Sequence, residues 1–198
     1  MSVFILGLDL GQMQDYTAIA IVERIAMNKK DAIYHLRHLE RFKLGTSYQD
    51  VVSRVKDLMG RELLINNTHL IVDATGVGIA VIDILHYAKL KPVPVTITNG
   101  ETVTRNGHYW RVPKRELVSQ LQVLLQIGSF KIAESLPDAS TLVQELLSFR
   151  VKITDRANDT YGSWREGIHD DMVLAVALSV WWGQRSLTPR PVVKAYIV

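Results

Sequence analysis

Residues 172–182, MVLAVALSVWW, run without a single charge, and the next one is Arg185. A helix through this stretch is apolar over most of its circumference, so it needs a core on nearly every side. It is also too short to span a bilayer, which takes about 20 residues. The rest of the chain must therefore supply a layer for it to lie against. Two adjacent carboxylates, Asp170 and Asp171, stand at its entrance. Helix capping explains one of them, since an Asp there accepts hydrogen bonds from free N–H groups and meets the positive end of the dipole. A second carboxylate at the mouth of a core brings repulsion and desolvation, which a bound cation would relieve.

The preceding residues supply strands and helices in a definite order. Val3 to Leu10 is an apolar run broken only by Gly7 and Asp9, which suits a central strand. Tyr16 to Ile25 and Ile33 to Leu44 follow across the short joints GQMQD and AMNKKDA, a spacing that predicts antiparallel pairing with the first strand. Ser47 to Leu64 has a helical apolar period, with Ser47 or Thr46 as its cap. HLIVDATG reads as a buried strand, Ile79 to Leu90 as a helix stopped by Pro92, and VPVTI as a fifth strand. Three strands, helix, strand, helix, strand predict an α/β fold: a mixed five-stranded sheet flanked by helices, with the fourth strand parallel to the first. Glu101 to Pro113 reads as a polar loop or small hairpin, Lys114 to Ile127 as a helix, SFKIA as a short strand and Ala139 to Phe149 as another helix. Val151 to Trp164, with Asn158, Asp159 and Gly162 between β-prone flanks, predicts an extra hairpin close to the entrance of the apolar helix. One domain over residues 1–185 accounts for these elements, and residues 186–198 read as a tail or linker.

Within this frame the carboxylates are conspicuous. Asp9 in FILGLDLG and Asp73 in HLIVDATG share one grammar: apolar strand, Asp, then glycine. A carboxylate in a buried strand is costly unless paired, and the glycine beyond it lets a ligand approach closely. If the first and fourth strands are neighbours, Asp9 and Asp73 project side by side, and the Asp170–Asp171 helix entrance needs only to lie across that sheet end. Such an oxygen-rich pocket suits two hard divalent cations, Mg2+ or Mn2+, and two such ions activate water and stabilise the leaving oxygen of a phosphodiester. With Asp170 as the N-cap its carboxylate turns back onto the helix, and Asp171 is the freer of the pair to hold a metal.

The chain of 198 residues has no cysteine, which excludes a disulfide frame and a thiolate zinc site. Its opening, MSVFILGLDLG, lacks a basic signal region, so an intracellular protein is expected. The net charge of +3 permits a nucleic-acid partner without demanding one. Arg105, Arg111, Lys114 and Arg115, interleaved with His108, Tyr109 and Trp110, suit a phosphate backbone, and the alternative is a solvated loop with Trp110 tucked into the core. Lys152, Arg156 and Arg165 flank the expected hairpin and are candidates for guiding DNA to the acids. His169 either ligates, transfers a proton or orients a neighbouring carboxylate, and the last is the usual role.

GLDLGQMQDYTAIAIV, VDATGVGIAVIDIL and GIHDDMVLAVALS, in this order and spacing, resemble the nuclease domain of the phage terminase large subunit, on the RuvC-like side of the RNase H-like superfamily. The resemblance covers roughly residues 3–183. It implies a metal-dependent endonuclease that cuts concatemeric double-stranded DNA during genome packaging, in the cytoplasm of an infected bacterium. By motif position Asp9, Asp73, Asp170 and Asp171 would hold the metals, and Asp15 would act from further out. The implied partners are an ATPase motor domain, the terminase small subunit and the portal, with no membrane. No G-x-x-x-x-G-K-[ST] phosphate loop occurs, so the chain reads as the nuclease domain without the motor. Leu174 and Ala175 stand where the family often has a further Asp-Ala, so a role for that Asp is absent.

Three other readings compete. GLDLG followed by a hairpin is also the phosphate-loop grammar of actin-like and sugar-kinase-like ATPases, although two such lobes need a longer chain. A RuvC-type junction resolvase would prefer four-way junctions and act as a dimer. A non-catalytic DNA-binding module would bind without metal and would not cut.

Overall fold

The computed structural model describes residues 2–11, 15–28, 31–76, 78–154 and 169–186. At its centre lies β1 (Ser2–Asp9), antiparallel on one side to β2 (Ala18–Ala26) and parallel on the other to β4 (Thr68–Asp73). Beyond β2 comes β3 (Ala32–Arg41), antiparallel, and beyond β4 comes β5 (Pro92–Thr98), parallel. These are the five expected strands; β2 and β4 take the expected directions beside β1, whereas β3 pairs with β2 rather than with the first strand, because the short joint after β2 folds it back on its immediate neighbour. Three shorter strands widen the sheet: β6 (Thr104–Asn106) and β7 (Tyr109–Pro113) beside β5, and β8 (Phe130–Ile132) beside β3. The sheet order is therefore β6-β7-β5-β4-β1-β2-β3-β8. Glu101 to Pro113 is thus a hairpin that joins the sheet, its turn made by Gly107 in the left-handed region at φ 58°.

Among the described residues five helices cover the two faces. On one face lie α1 (Tyr48–Met59) and α2 (Gly78–Tyr87), packed on Leu6, Leu8, Ile19, Ile21, Leu70 and Val72. Ser47 caps α1 as expected, its side chain accepting from the Asp50 amide at 3.1 Å. On the other face lie α3 (Lys114–Gln126), α4 (Ala139–Thr154) and α5 (Asp171–Ser186). There the sheet contributes Ile5, Ala18, Ala20, Val22, Leu39 and Ile71. α4 continues through Thr154, so residues 151–154 are helical rather than the start of a hairpin. The remainder of that expected hairpin, residues 155–168, and the expected tail from residue 187 lie outside the described residues.

α5 carries the uncharged run. Residues 171–181 are all buried, with Val173, Val176, Leu178 and Trp181 at 0% exposure. Each such large side chain contributes on the order of 2 kcal/mol relative to exposure. The helix lies so close to β1 that a Cβ on Gly7 would sit 2.0 Å from the Ala175 carbonyl oxygen and 2.6 Å from Ser179 Oγ. Only glycine fits this crossing. Among the described residues no helix is long and apolar enough to cross a membrane.

Candidate metal centre

Strand alternation places the acids. In β1, Leu6 and Leu8 face α1 and α2, while Ile5 packs in the opposite core and Gly7 meets α5. With a period of two, Asp9 follows Ile5 and Gly7 onto the α5 face. In β4, Leu70 and Val72 belong to the first face and Ile71 to the second, so Asp73 also points toward α5. Leu8 pairs with Val72 in parallel register, which sets Asp9 and Asp73 side by side at the same sheet end. In β3, Arg41 follows Leu39 onto this face.

The site is crowded with negative charge. Asp9 is 8% exposed and Asp73 7%. Burial pushes the Asp9 pKa well above the ordinary carboxylate range, and Asp73, Asp170 and Asp171 push it further in that order. Asp73 raises Asp9 both through its charge and through the closeness of its side chain, as expected of two carboxyls that cannot both ionise freely. Burial also raises Asp73, against the pull of a hydrogen bond from Thr75, whose amide lies 2.8 Å from Asp73 Oδ1, and of nearby Lys114.

The Asp170–Asp171 pair is arranged differently from the expectation. Asp170 does occupy the N-cap by its backbone, since its carbonyl accepts the Leu174 amide proton at 2.9 Å. Its carboxylate, however, takes a hydrogen bond from Lys114 Nζ at 2.6 Å. The helix cap comes instead from a distant residue: Glu145 of α4 accepts from the Val173 amide at 3.3 Å. Nor is Asp171 the freer of the two. Arg41 holds it with two bonds, Nε to Oδ2 at 2.7 Å and Nη2 to Oδ1 at 3.2 Å, and the same Nη2 donates to Glu145 Oε1. Burial raises the Asp171 pKa in spite of Arg41. An isolated acid pair would rather be solvated; each here is balanced by a cation from another element.

Aromatic rings border this ionic cluster. Tyr16, just ahead of β2, meets the edge of His169 at 4.6 Å between centroids and lies 5.0 Å from the Arg41 guanidinium carbon. His169 is half-buried between this ring and the acids. Asp15 is exposed in the connection between β1 and β2. Arg41 and Glu145 are site residues that no sequence motif marked.

The expected DNA contacts divide. Lys114 is part of the acid cluster. Arg105 lies over the buried Trp110 ring at 5.0 Å and donates to the Gly107 carbonyl, Arg115 is 3.6 Å from Glu101, and Arg111 is exposed. Lys152 falls in the last turn of α4, but its side chain is outside the described residues, as are Arg156 and Arg165.

Oxygen donors and an uncompensated negative charge fit a hard divalent cation. Among the described residues no three acidic or histidine side chains are grouped tightly enough to enclose an ion as they stand, so loading would require side-chain adjustment.

Comparison with solved structures gives the fold its class: an RNase H-like α/β fold in the form found in large-terminase nucleases. The large terminase nuclease from the thermophilic phage G20c superposes with a TM-score of 0.59 at 23% identity, over 92% of this chain and 82% of that one. The large terminase of a second thermophilic bacteriophage gives 0.62 at 12% identity over 90% of this chain, which spans 39% of that longer protein. The manganese-soaked nuclease domain of the human cytomegalovirus terminase gives 0.54 at 13% identity, over 91% and 84% of the two chains. No family model matches the sequence, and no curated protein matches it.

Proposed function

We propose that the chain is a divalent-metal-dependent DNA endonuclease, the nuclease domain of a viral DNA-packaging terminase, which cleaves concatemeric double-stranded DNA in the cytoplasm of an infected bacterium. The observation that carries this reading is the pairing of Asp9 with Asp73 across the β1–β4 seam, facing Asp170 and Asp171 at the entrance of α5. The shared fold supports it, and the manganese soak of the cytomegalovirus domain supports a hard divalent ion.

In this reading Asp9, Asp73 and Asp170 face the ions, with Asp171 beside them. When bound, two Mg2+ or Mn2+ ions supply Lewis-acid activation of water and charge stabilisation at the leaving oxygen. Lys114 is near enough to Asp73 and Asp170 to add positive charge where a phosphate would sit. The exposed Arg111 is suited to the DNA backbone, and the absence of a base-reading motif argues for cleavage with little sequence preference. A motor domain, the terminase small subunit and the portal are the partners that the resemblance implies.

The test is incubation of the purified protein with plasmid DNA in Mn2+, in Mg2+ and in excess EDTA. Nicking and linearisation in either metal, abolished by EDTA, are expected. Cleavage undiminished by EDTA, or none in either metal, refutes the reading.

A further inference from the structure

One feature of the cluster exceeds what a structural ion pair requires. Arg41 carries one positive charge but serves two buried carboxylates, Asp171 and Glu145, which are 6% and 7% exposed. The trio is net negative and stands against an acid cluster that is already short of cations. Burying such a group is a poor route to stability, because an apolar trio of similar volume usually does as well or better. What the trio does provide is position. Glu145 holds Arg41 with one oxygen and the third amide of α5 with the other. Arg41 in turn fixes both oxygens of Asp171 and is backed by the Tyr16 ring. β3, α4 and the first turn of α5 are thereby locked together at the carboxylates.

We infer that Arg41 and Glu145 are positioning residues that set the first turn of α5, and so Asp170 and Asp171, against Asp9 and Asp73. The inference rests on the metal-centre reading above. Each Asp171 oxygen accepts one Arg41 bond and retains a lone pair, so the clamp is compatible with a cation on the other side. Lysine cannot replace arginine here, because a single ammonium does not reproduce the two parallel bonds to Asp171 together with the third to Glu145.

The test uses Arg41→Lys, Arg41→Gln, Glu145→Gln and the Arg41→Gln/Glu145→Gln double variant. Mn2+ binding is measured calorimetrically without DNA, and cleavage is measured across a Mn2+ titration. A lost clamp should weaken Mn2+ affinity or the saturated cleavage rate by about 10- to 100-fold while affinity for DNA in Ca2+ is kept, as for other groups that orient metal ligands. Arg41→Lys should not rescue, and the double variant should lose little beyond the worse single one, since both residues act through one unit. Wild-type Mn2+ affinity and rate in folded Arg41→Gln and Glu145→Gln, or strictly additive losses, overturn the inference. If Arg41→Gln does not fold, Glu145→Gln alone decides between these outcomes. Failure of the nuclease reading shows separately, as a wild type that does not cleave, and the DNA-free titration still tests the clamp.

Discussion

Asp9 and Asp73 end neighbouring parallel strands side by side, at a site where burial raises the pKa of both. A carboxyl pair in this state stores repulsion. Asp9→Asn and Asp73→Asn are each expected to abolish metal-dependent cleavage and to leave the metal-free melting temperature unchanged or higher. Large drops in melting temperature for both variants would make these residues structural.

The same pair sets a pH dependence. A carboxyl whose folded pKa is raised favours the folded state fully only below its unfolded value of about 4, and that contribution is lost as pH rises through the folded pKa. In EDTA, the stability of Asp9→Asn relative to wild type should therefore grow from about pH 4 toward neutrality. Melting curves of both proteins across that range check this. A constant difference would mean that Asp9 has an ordinary pKa.

Asp170 and Asp171 should separate by phenotype. Asp171→Asn keeps one acceptor but loses one of the two buried Arg41 bonds and leaves Glu145 as the only carboxylate on Arg41, a loss of about 2 kcal/mol. Asp170→Asn retains an acceptor for Lys114 and should lose about 1 kcal/mol, yet it removes the charge that, after Asp73, acts most on Asp9. Asp170→Asn is therefore expected to be folded and inactive, and Asp171→Asn to be destabilised. Denaturant melts and Mn2+-dependent cleavage of both variants decide it. A stable, inactive Asp171→Asn beside an active Asp170→Asn would restore the order expected from helix capping alone.

Gly7→Ala tests the seating of α5. Its Cβ would collide with helix backbone rather than with a flexible side chain, so a loss of at least about 2 kcal/mol is expected in chemical denaturation. A variant as stable as wild type would show that α5 sits further from β1.

The carboxylates were legible in the sequence because burial leaves a mark there. Asp9 and Asp73 interrupt apolar strands, and the uncharged run announces α5. Arg41 and Glu145 leave no such mark. Arg41 ends HLRHLER, where alternating charge looks like a solvated strand face, and Glu145 is one polar residue in an ordinary helical pattern. Arg41 lies 104 residues from Glu145 and 130 from Asp171 in sequence, so only the fold reveals these contacts. The capping role failed for Asp170 for a related reason: local grammar favours an Asp at the N-cap, but Lys114 and Glu145 arrive from other elements and divide the task differently. The strands β6, β7 and β8 were short enough to read as loop, small hairpin or isolated strand, and their place in the sheet depends on neighbours far along the chain.

The burial of α5 also has a consequence for the order of synthesis. This helix covers Ile5, Ala18, Ala20 and Ile71, all made long before it. A ribosome-bound chain that has not yet extended past α4 leaves the part of this face that α5 covers open, a state prone to non-native association. That chain also lacks Asp170 and Asp171, so the carboxylate cluster closes only when the helix docks. Completion of the core and completion of the acidic centre are a single event, and a nascent or truncated chain would carry neither.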